Sequence, residues 1–370
     1  MRLLLINDCA FLILLYRRLA ATRVDPRYRD RDELRSRKFT MTSQSHVIRA
    51  EFRPPLGLRH RHVQSVMSKL PWRRRIVRQR AANLLASSKP EVVDGGDGVR
   101  LLGYYSASPK PCGLVVLLHG WEGSADSSYV LSVGTRLFES GYSVFRLNFR
   151  DHGNTYALNE DLFHSCRIDE VVNAVKNVHE RHPAERLFLV GQSLGGNFAI
   201  RVAVRADAAG ITLRRVVAVC PVLQPQSTMR ALEQGLWIYR RYFLSRWRKS
   251  LRAKAAAFPK RYDFGSLERF RTLTETTEFF VRECTNFPSL EDYLEGYAIT
   301  GPALARLNVP TAVIAALDDP VIPSVDLERL ARVDALKVTG FRHGGHCGFV
   351  DSYSLRSWVD ERILAELDTT

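Results

Sequence analysis

From about Val99 onward, short apolar runs alternate with longer stretches in which apolar residues recur at helical spacing. The runs Val99–Ser106, Gly113–Leu118, Ser143–Asn148, Leu187–Gly191, Val216–Cys220, Thr311–Ala316 and Leu336–Thr339 predict strands. Several are unbroken apolar or β-branched segments, as strands covered on both faces of a parallel sheet require. Helical periodicity marks Ser128–Ser140, Arg167–Arg181, Leu194–Ala206 and Ser354–Leu367. Strands and helices alternating in this way predict an α/β fold with a mostly parallel, doubly wound sheet.

One interval breaks the alternation. From Val222 to Pro310 there is no clear strand, and Trp237, Tyr239, Tyr242, Phe243, Trp247, Phe279, Phe280 and Tyr293 are scattered through it. A helical insertion over the sheet is expected at about 224–308, in the position of a lid with a substrate pocket beneath it. Some of these aromatic residues must pack the insertion onto the core whatever else they do.

Composition adds a size and a charge pattern. The 370 residues are 45% hydrophobic and 25% charged, which fits a soluble globular protein with a sizeable core. Six scattered cysteines without a C-x-x-C pair read as free thiols, and so as a cytoplasmic protein. The net charge of +15 is concentrated: residues 1–90 hold 21 Lys/Arg against 6 Asp/Glu, and Arg230–Arg261 holds 10 against Glu233 alone. Such segments are attracted to anionic membranes, so peripheral membrane contact is weighed; a solvated face is the simpler reading, and nucleic acid is not an expected partner.

The apolar stretch Leu3–Tyr16 is interrupted by Asn7 and Asp8 and is shorter than the roughly 20 residues of a membrane span. Arg23–Lys38 is rich in Arg and Asp. Residues 1–45 are therefore expected to be a basic, disordered extension preceding one domain over 46–370, with residues 1–40 upstream of Met41 as a candidate misassigned start.

Candidate chemistry centres on Gly191-Gln192-Ser193-Leu194-Gly195, a G-x-S-x-G nucleophile elbow in which a strand turns sharply into a helix and lifts the serine above the sheet. A bare serine is a poor nucleophile and needs a base, an orienting carboxylate and oxyanion donors. Upstream, Leu114–Leu118 runs into His119-Gly120-Trp121, so the main-chain N–H groups of Trp121 and Leu194 are the expected oxyanion donors. Downstream, Leu317-Asp318-Asp319-Pro320-Val321-Ile322-Pro323 supplies the acid, with Asp319 preferred over Asp318. The base comes from His343-Gly344-Gly345-His346-Cys347-Gly348, with His346 preferred over His343 because its small neighbours let the ring reach across.

Other readings are weaker. His119 and His152 are expected to hold loops, while His164 fits a pocket or a structural role equally. A metal bound by His343, His346 and Cys347 would lack a fourth ligand. The elbow also lacks the Gly-Lys-Ser/Thr ending of a phosphate loop. No metal or cofactor is expected.

The motifs His119-Gly120-Trp121-Glu122-Gly123, Leu158-Asn159-Glu160-Asp161-Leu162-Phe163-His164, Gly191–Asn197 and Gly344–Phe349 together resemble the YheT-type branch of the α/β-hydrolase superfamily. The similarity runs over roughly Phe52–Leu367 and includes Phe52-Arg53-Pro54-Pro55 and His62-Val63-Gln64-Ser65. It implies an α/β-hydrolase fold, a triad of Ser193, Asp319 and His346, and short-chain carboxylesterase or monoacylglycerol-lipase-like activity on a small-molecule or lipid ester. Asp151 and Asp161 depart from the pattern, standing where glycine is common. The competing expectation is a non-catalytic hydrolase-fold protein that docks on anionic membrane or nucleic acid through its basic segments.

Overall fold

The computed structural model describes residues 46–369. The expectations for residues 1–45 lie outside the described residues. Nine strands form one sheet: β1 (Val47–Ala50), β2 (Ser88–Asp94), β3 (Arg100–Ser106), β4 (Leu114–Leu118), β5 (Ser143–Leu147), β6 (Leu187–Gln192), β7 (Arg215–Val219), β8 (Thr311–Ala316) and β9 (Leu336–Phe341). Their order is β1-β9-β8-β7-β6-β4-β5-β3-β2. β3 pairs antiparallel with both β2 and β5, and the remaining pairs are parallel.

Helices cover both faces. Between β1 and β2 lie α1 (Arg61–Met67), α2 (Pro71–Arg80) and α3 (Ala82–Ala86), followed after β4 by α4 (Ser128–Glu139), after β5 by α5 (Ile168–Arg181) and after β6 by α6 (Leu194–Arg205). Between β7 and β8 come α7 (Pro225–Gln234), α8 (Trp237–Ala257), α9 (Leu273–Cys284) and α10 (Leu290–Glu295), and α11 (Trp358–Asp368) closes the chain. Successive strand residues face opposite layers. Thus Leu114, Val116 and Leu118 of β4 join Val175, Phe198 and Ile200 on one side, while Val115 and Leu117 join Leu131, Leu137 and Ile363 on the other. The insertion between β7 and β8 contains helices and no strand, and has its own core of Trp247, Leu251, Leu267, Phe280 and Leu294.

Three details differ from the sequence expectation. β1 and β2 were not foreseen, because each lies at a sheet edge and carries few inward apolar residues: Val47 alone is buried in β1, and Val93 alone in the Pro-containing β2. The last helix begins at Trp358 and not at Ser354. Ser357 is held in a bridge to Val350, and Leu355 adopts a positive φ of 62°, so the helical backbone cannot start earlier. Among the described residues no helix is long and apolar enough to cross a membrane.

Candidate active site

The chain leaves β4 toward β5 on one side and reaches β6 on the other. Such a switch in winding direction opens a crevice at the carboxyl ends of the strands. Into it project the turn after β4, the elbow after β6 and the loops after β8 and β9. Ser193 sits between β6 and α6 at φ 55° and ψ −123°, a backbone strain that directs its hydroxyl out of the sheet. The flanking glycines permit the turn. A Cβ on Gly195 would lie 2.3 Å from the Leu118 carbonyl oxygen, and one on Gly191 would lie 2.1 Å from that of Gly195.

His346 Nε2 lies 3.0 Å from Ser193 Oγ, and His346 Nδ1 lies 2.9 Å from Asp319 Oδ2. The other carboxylate oxygen of Asp319 accepts the N–H groups of Val321 and Ile322 at 2.7 and 3.0 Å, which fixes its orientation. Burial works against protonation of His346, but the neighbouring charges of Asp319 and Cys347, with the Asp319 hydrogen bond, outweigh it and raise the pKa above the ordinary histidine value. With both ring nitrogens committed to Ser193 and Asp319, His346 is not arranged as a metal ligand.

Asp318, the second candidate, accepts the Gly345 N–H at 2.9 Å and so braces the His346 loop. Burial pushes its carboxyl up to about 6. His343 Nδ1 faces Asp318 at 3.8 Å. The structure therefore brings together Ser193, Asp319 and His346, and leaves Asp318 and His343 to one side.

The Trp121 turn lies against the elbow: a Cβ on Gly120 would stand 3.2 Å from that of Ser193. Trp121, Ser193 and Leu194 line one cavity. Leu194 is the first residue of α6, whose leading N–H groups have no intrahelical acceptor. Its N–H therefore has no acceptor within its own helix. His119 donates from Nδ1 to the Gly120 carbonyl at 2.8 Å and accepts the Phe149 N–H at Nε2, 3.2 Å away. Burial, then the neighbouring His152, keeps its pKa far below the usual value, and it acts as a loop brace.

The cavity beside Ser193 is about 120 Å³ and runs beneath the insertion. Leu162, Leu232, Trp247, Leu251 and Phe280 make most of it apolar. His164 also faces it; burial lowers its pKa to about 3, and its Nδ1 has no partner among the described residues. Trp121 stacks on Phe243 at 5.2 Å and meets Trp247 edge-on at 5.4 Å, so the turn after β4 also seats α8.

Sequence reasoning noted His62-Val63-Gln64-Ser65 only as part of a resemblance and gave Gln64 and Ser65 no role in holding this arrangement. Ser65 Oγ accepts the His346 N–H at 2.8 Å. Gln64 bridges the carbonyls of Leu58 and Val350 at 2.7 and 3.0 Å, and accepts the Val350 N–H at 2.7 Å. The available signal was a short helix, α1, whose buried face is mostly polar: His62, Gln64 and Ser65 beside Met67. Lys254 was counted in a basic surface segment, yet its side chain is fully buried and pairs with Asp151 at 2.8 Å. Among the described residues, six of the ten basic side chains of 230–261 (Arg240, Arg246, Arg248, Arg252, Lys254 and Arg261) engage acids or carbonyls.

The sequence profile described as alpha/beta hydrolase fold matches residues 113–353, and the chain belongs to that family. Within it the chain is of the YheT type. It is 26% identical over 335 residues to YheT of Escherichia coli (strain K12), provisionally named an esterase, covering 86% of this chain and 94% of that protein. It is also 26% identical over 264 residues to protein ABHD15 of Homo sapiens, covering 70% of this chain and 55% of that one. The esterase Pf2001 of Pyrococcus furiosus superposes with a TM-score of 0.51 at 15% identity, over 76% of this chain and 92% of that structure, a likeness of fold.

Proposed function

We propose that this protein is a serine hydrolase that cleaves carboxylic esters, with short-chain carboxylesterase or monoacylglycerol-lipase-like activity. The observation that carries the reading is the continuous line Ser193–His346–Asp319, with contacts of 3.0 and 2.9 Å. His346 takes the Ser193 proton as the oxygen attacks the ester carbonyl, and Asp319 fixes the ring tautomer and stabilises the imidazolium. The N–H groups of Trp121 and Leu194 receive the oxyanion. Each is worth about 3 kcal/mol of transition-state stabilisation, by analogy with known oxyanion donors. His346 then gives its proton to the departing alcohol, and water, activated by the same histidine, releases the acid from the acyl-serine.

The apolar cavity supports an acyl chain as the group held beside Ser193, and the esterase names of relatives agree with an ester substrate. The test is Ser193→Ala. It is expected to abolish hydrolysis of p-nitrophenyl butyrate and labelling by a fluorophosphonate probe, with the fold intact by circular dichroism. Undiminished turnover in that variant would end the reading.

A further inference from the structure

Ser193 lies between two cavities of opposite character. One is the apolar space beneath the insertion. The other, about 90 Å³, is lined by His346, Tyr242 and three cations: Lys69 after α1, Arg74 of α2 and Arg246 of α8. Glu122 is the single carboxylate in this lining, and its Oε2 accepts the Ser250 hydroxyl at 2.6 Å. Arg246 donates to the Glu122 main-chain oxygen at 2.7 Å. None of the three cations forms an ion pair among the described residues. Lys69 is half-buried, with Nζ 4.9 Å from the ring centre of Tyr242 and 5.3 Å from that of Phe243. It is near enough to His346 to oppose its protonation. The two rings offset part of the cost of desolvating Lys69, Arg74 is exposed, and an anionic ligand would supply the counter-charge that no acid in this cavity gives the three.

The hydrolytic step dictates which half of an ester faces these cations. As the acyl carbon binds Ser193 Oγ and the ester C–O bond breaks, the leaving oxygen must take a proton from His346 Nε2 within hydrogen-bond reach. His346 lines the cationic cavity and not the apolar one. The alcohol half therefore departs through the cationic side, and the acyl half occupies the apolar side. Three cations against one carboxylate leave an excess of two positive charges, which matches a phosphate monoester at neutral pH better than a single carboxylate. Two arginines also suit the spread oxygens of phosphate.

We propose that the preferred substrate is an acyl ester of a phosphate-bearing alcohol, its phosphate held by Lys69, Arg74 and Arg246 and its chain in the apolar cavity. The products are the free acid, formed with water, and the phosphorylated alcohol. The proposal rests on the hydrolase reading for its chemistry, but its binding preference can be measured without turnover.

The experiment is calorimetric titration of the full-length Ser193→Ala protein with octanoylglycerol, octanoylglycerol phosphate and inorganic phosphate. The phosphate-bearing ester is expected to bind at least about tenfold more tightly than the neutral one. The advantage should shrink as salt rises from about 50 to about 500 mM, and vanish when Lys69→Gln, Arg74→Gln and Arg246→Gln are added. The salt series needs no further variant, so misfolding of the multiple substitution leaves the test intact. Equal binding of the two esters would overturn the proposal, as would an advantage that survives salt. Inorganic phosphate binding as tightly as the phosphate ester would also overturn it, by making the acyl cavity irrelevant. Turnover of both esters by the parent protein without a binding preference would leave the hydrolase reading standing and remove the phosphate pocket; a preference without turnover would do the reverse.

Discussion

Lys254→Met tests how the insertion is fastened over the site. Lys254 lies in the last turn of α8, the helix that also supplies Phe243, Trp247, Ser250 and Leu251 to the apolar cavity. Its ammonium donates to Asp151 Oδ1 at 2.8 Å and to the carbonyls of Asn159, Asp161 and Tyr156 at 2.6, 3.1 and 3.2 Å. Burial pushes the Lys254 ammonium down and the Asp151 carboxyl up, each against the attraction of its partner. Desolvation thus outweighs the mutual gain, and the pair holds geometry more than it adds stability. Methionine keeps the buried stem but removes every donor. Asp151, with a side chain 7% exposed, would keep only the Phe163 N–H at 2.8 Å. Breaking one side of such a pair costs about 3–5 kcal/mol. Adding Asp151→Asn removes the stranded charge and still suits the positive φ of 60° at this position, so the double variant should recover at least about 1 kcal/mol. Urea unfolding followed by tryptophan fluorescence measures both, since Trp121 and Trp247 meet at the junction of core and insertion. A Lys254→Met protein within about 1 kcal/mol of the parent would refute the anchor. A double variant no better than the single would refute the stranded-charge account.

The pH profile follows from His346. In the proposed reaction neutral imidazole is the form that takes the serine proton, and the raised pKa keeps the ring protonated to higher pH, so the acid limb of kcat/KM should have its midpoint above about 6.5; a midpoint below that value would contradict the charge balance assigned to the site. Ser65→Ala strands the buried His346 N–H and should cost about 1–3 kcal/mol of stability, with kcat falling more than KM rises, whereas equal stability and kcat in steady-state and melting assays would remove Ser65 as a positioning residue. Gly195→Ala drives a methyl group to 2.3 Å from the Leu118 oxygen and should lower stability by about 3 kcal/mol or more, so a soluble variant melting with the parent would show that the elbow can relax.

The central sheet was legible because β4 to β9 are short apolar runs, and a strand buried on both faces announces itself by composition alone. β4, β5, β6 and β8 are buried along their whole length. β1 and β2 were not legible for the opposite reason. An edge strand with one inward residue has no period to detect, and Pro90 reads as a strand breaker until the edge position is known. β1 exists only because β9, nearly three hundred residues later, offers it a parallel partner from Val338 to Phe341.

The candidate site divides along the same line. The elbow, the His-Gly turn and the Gly-Gly-His loop are local patterns, and each sits at a strand end where backbone geometry dictates small residues in sequence. Long-range pairings leave no such trace. Ser65 and His346 are 281 positions apart, and the polar buried face of α1 does not by itself name a histidine loop as the partner of Ser65. The basic segment shows how far charge counting can mislead: Lys254 and Arg246 lie on one helix, yet the first is sealed against Asp151 while the second opens beside Ser193. A sum over residues 230–261 averages an anchor and a pocket wall into a featureless basic surface. The same helix supplies apolar walls to one cavity and a cation to the other, so shifting α8 would alter both cavities together. Loosening the Lys254 anchor should therefore weaken discrimination by acyl chain and by phosphate in parallel, and a change in only one of them would show that the two cavities are set independently.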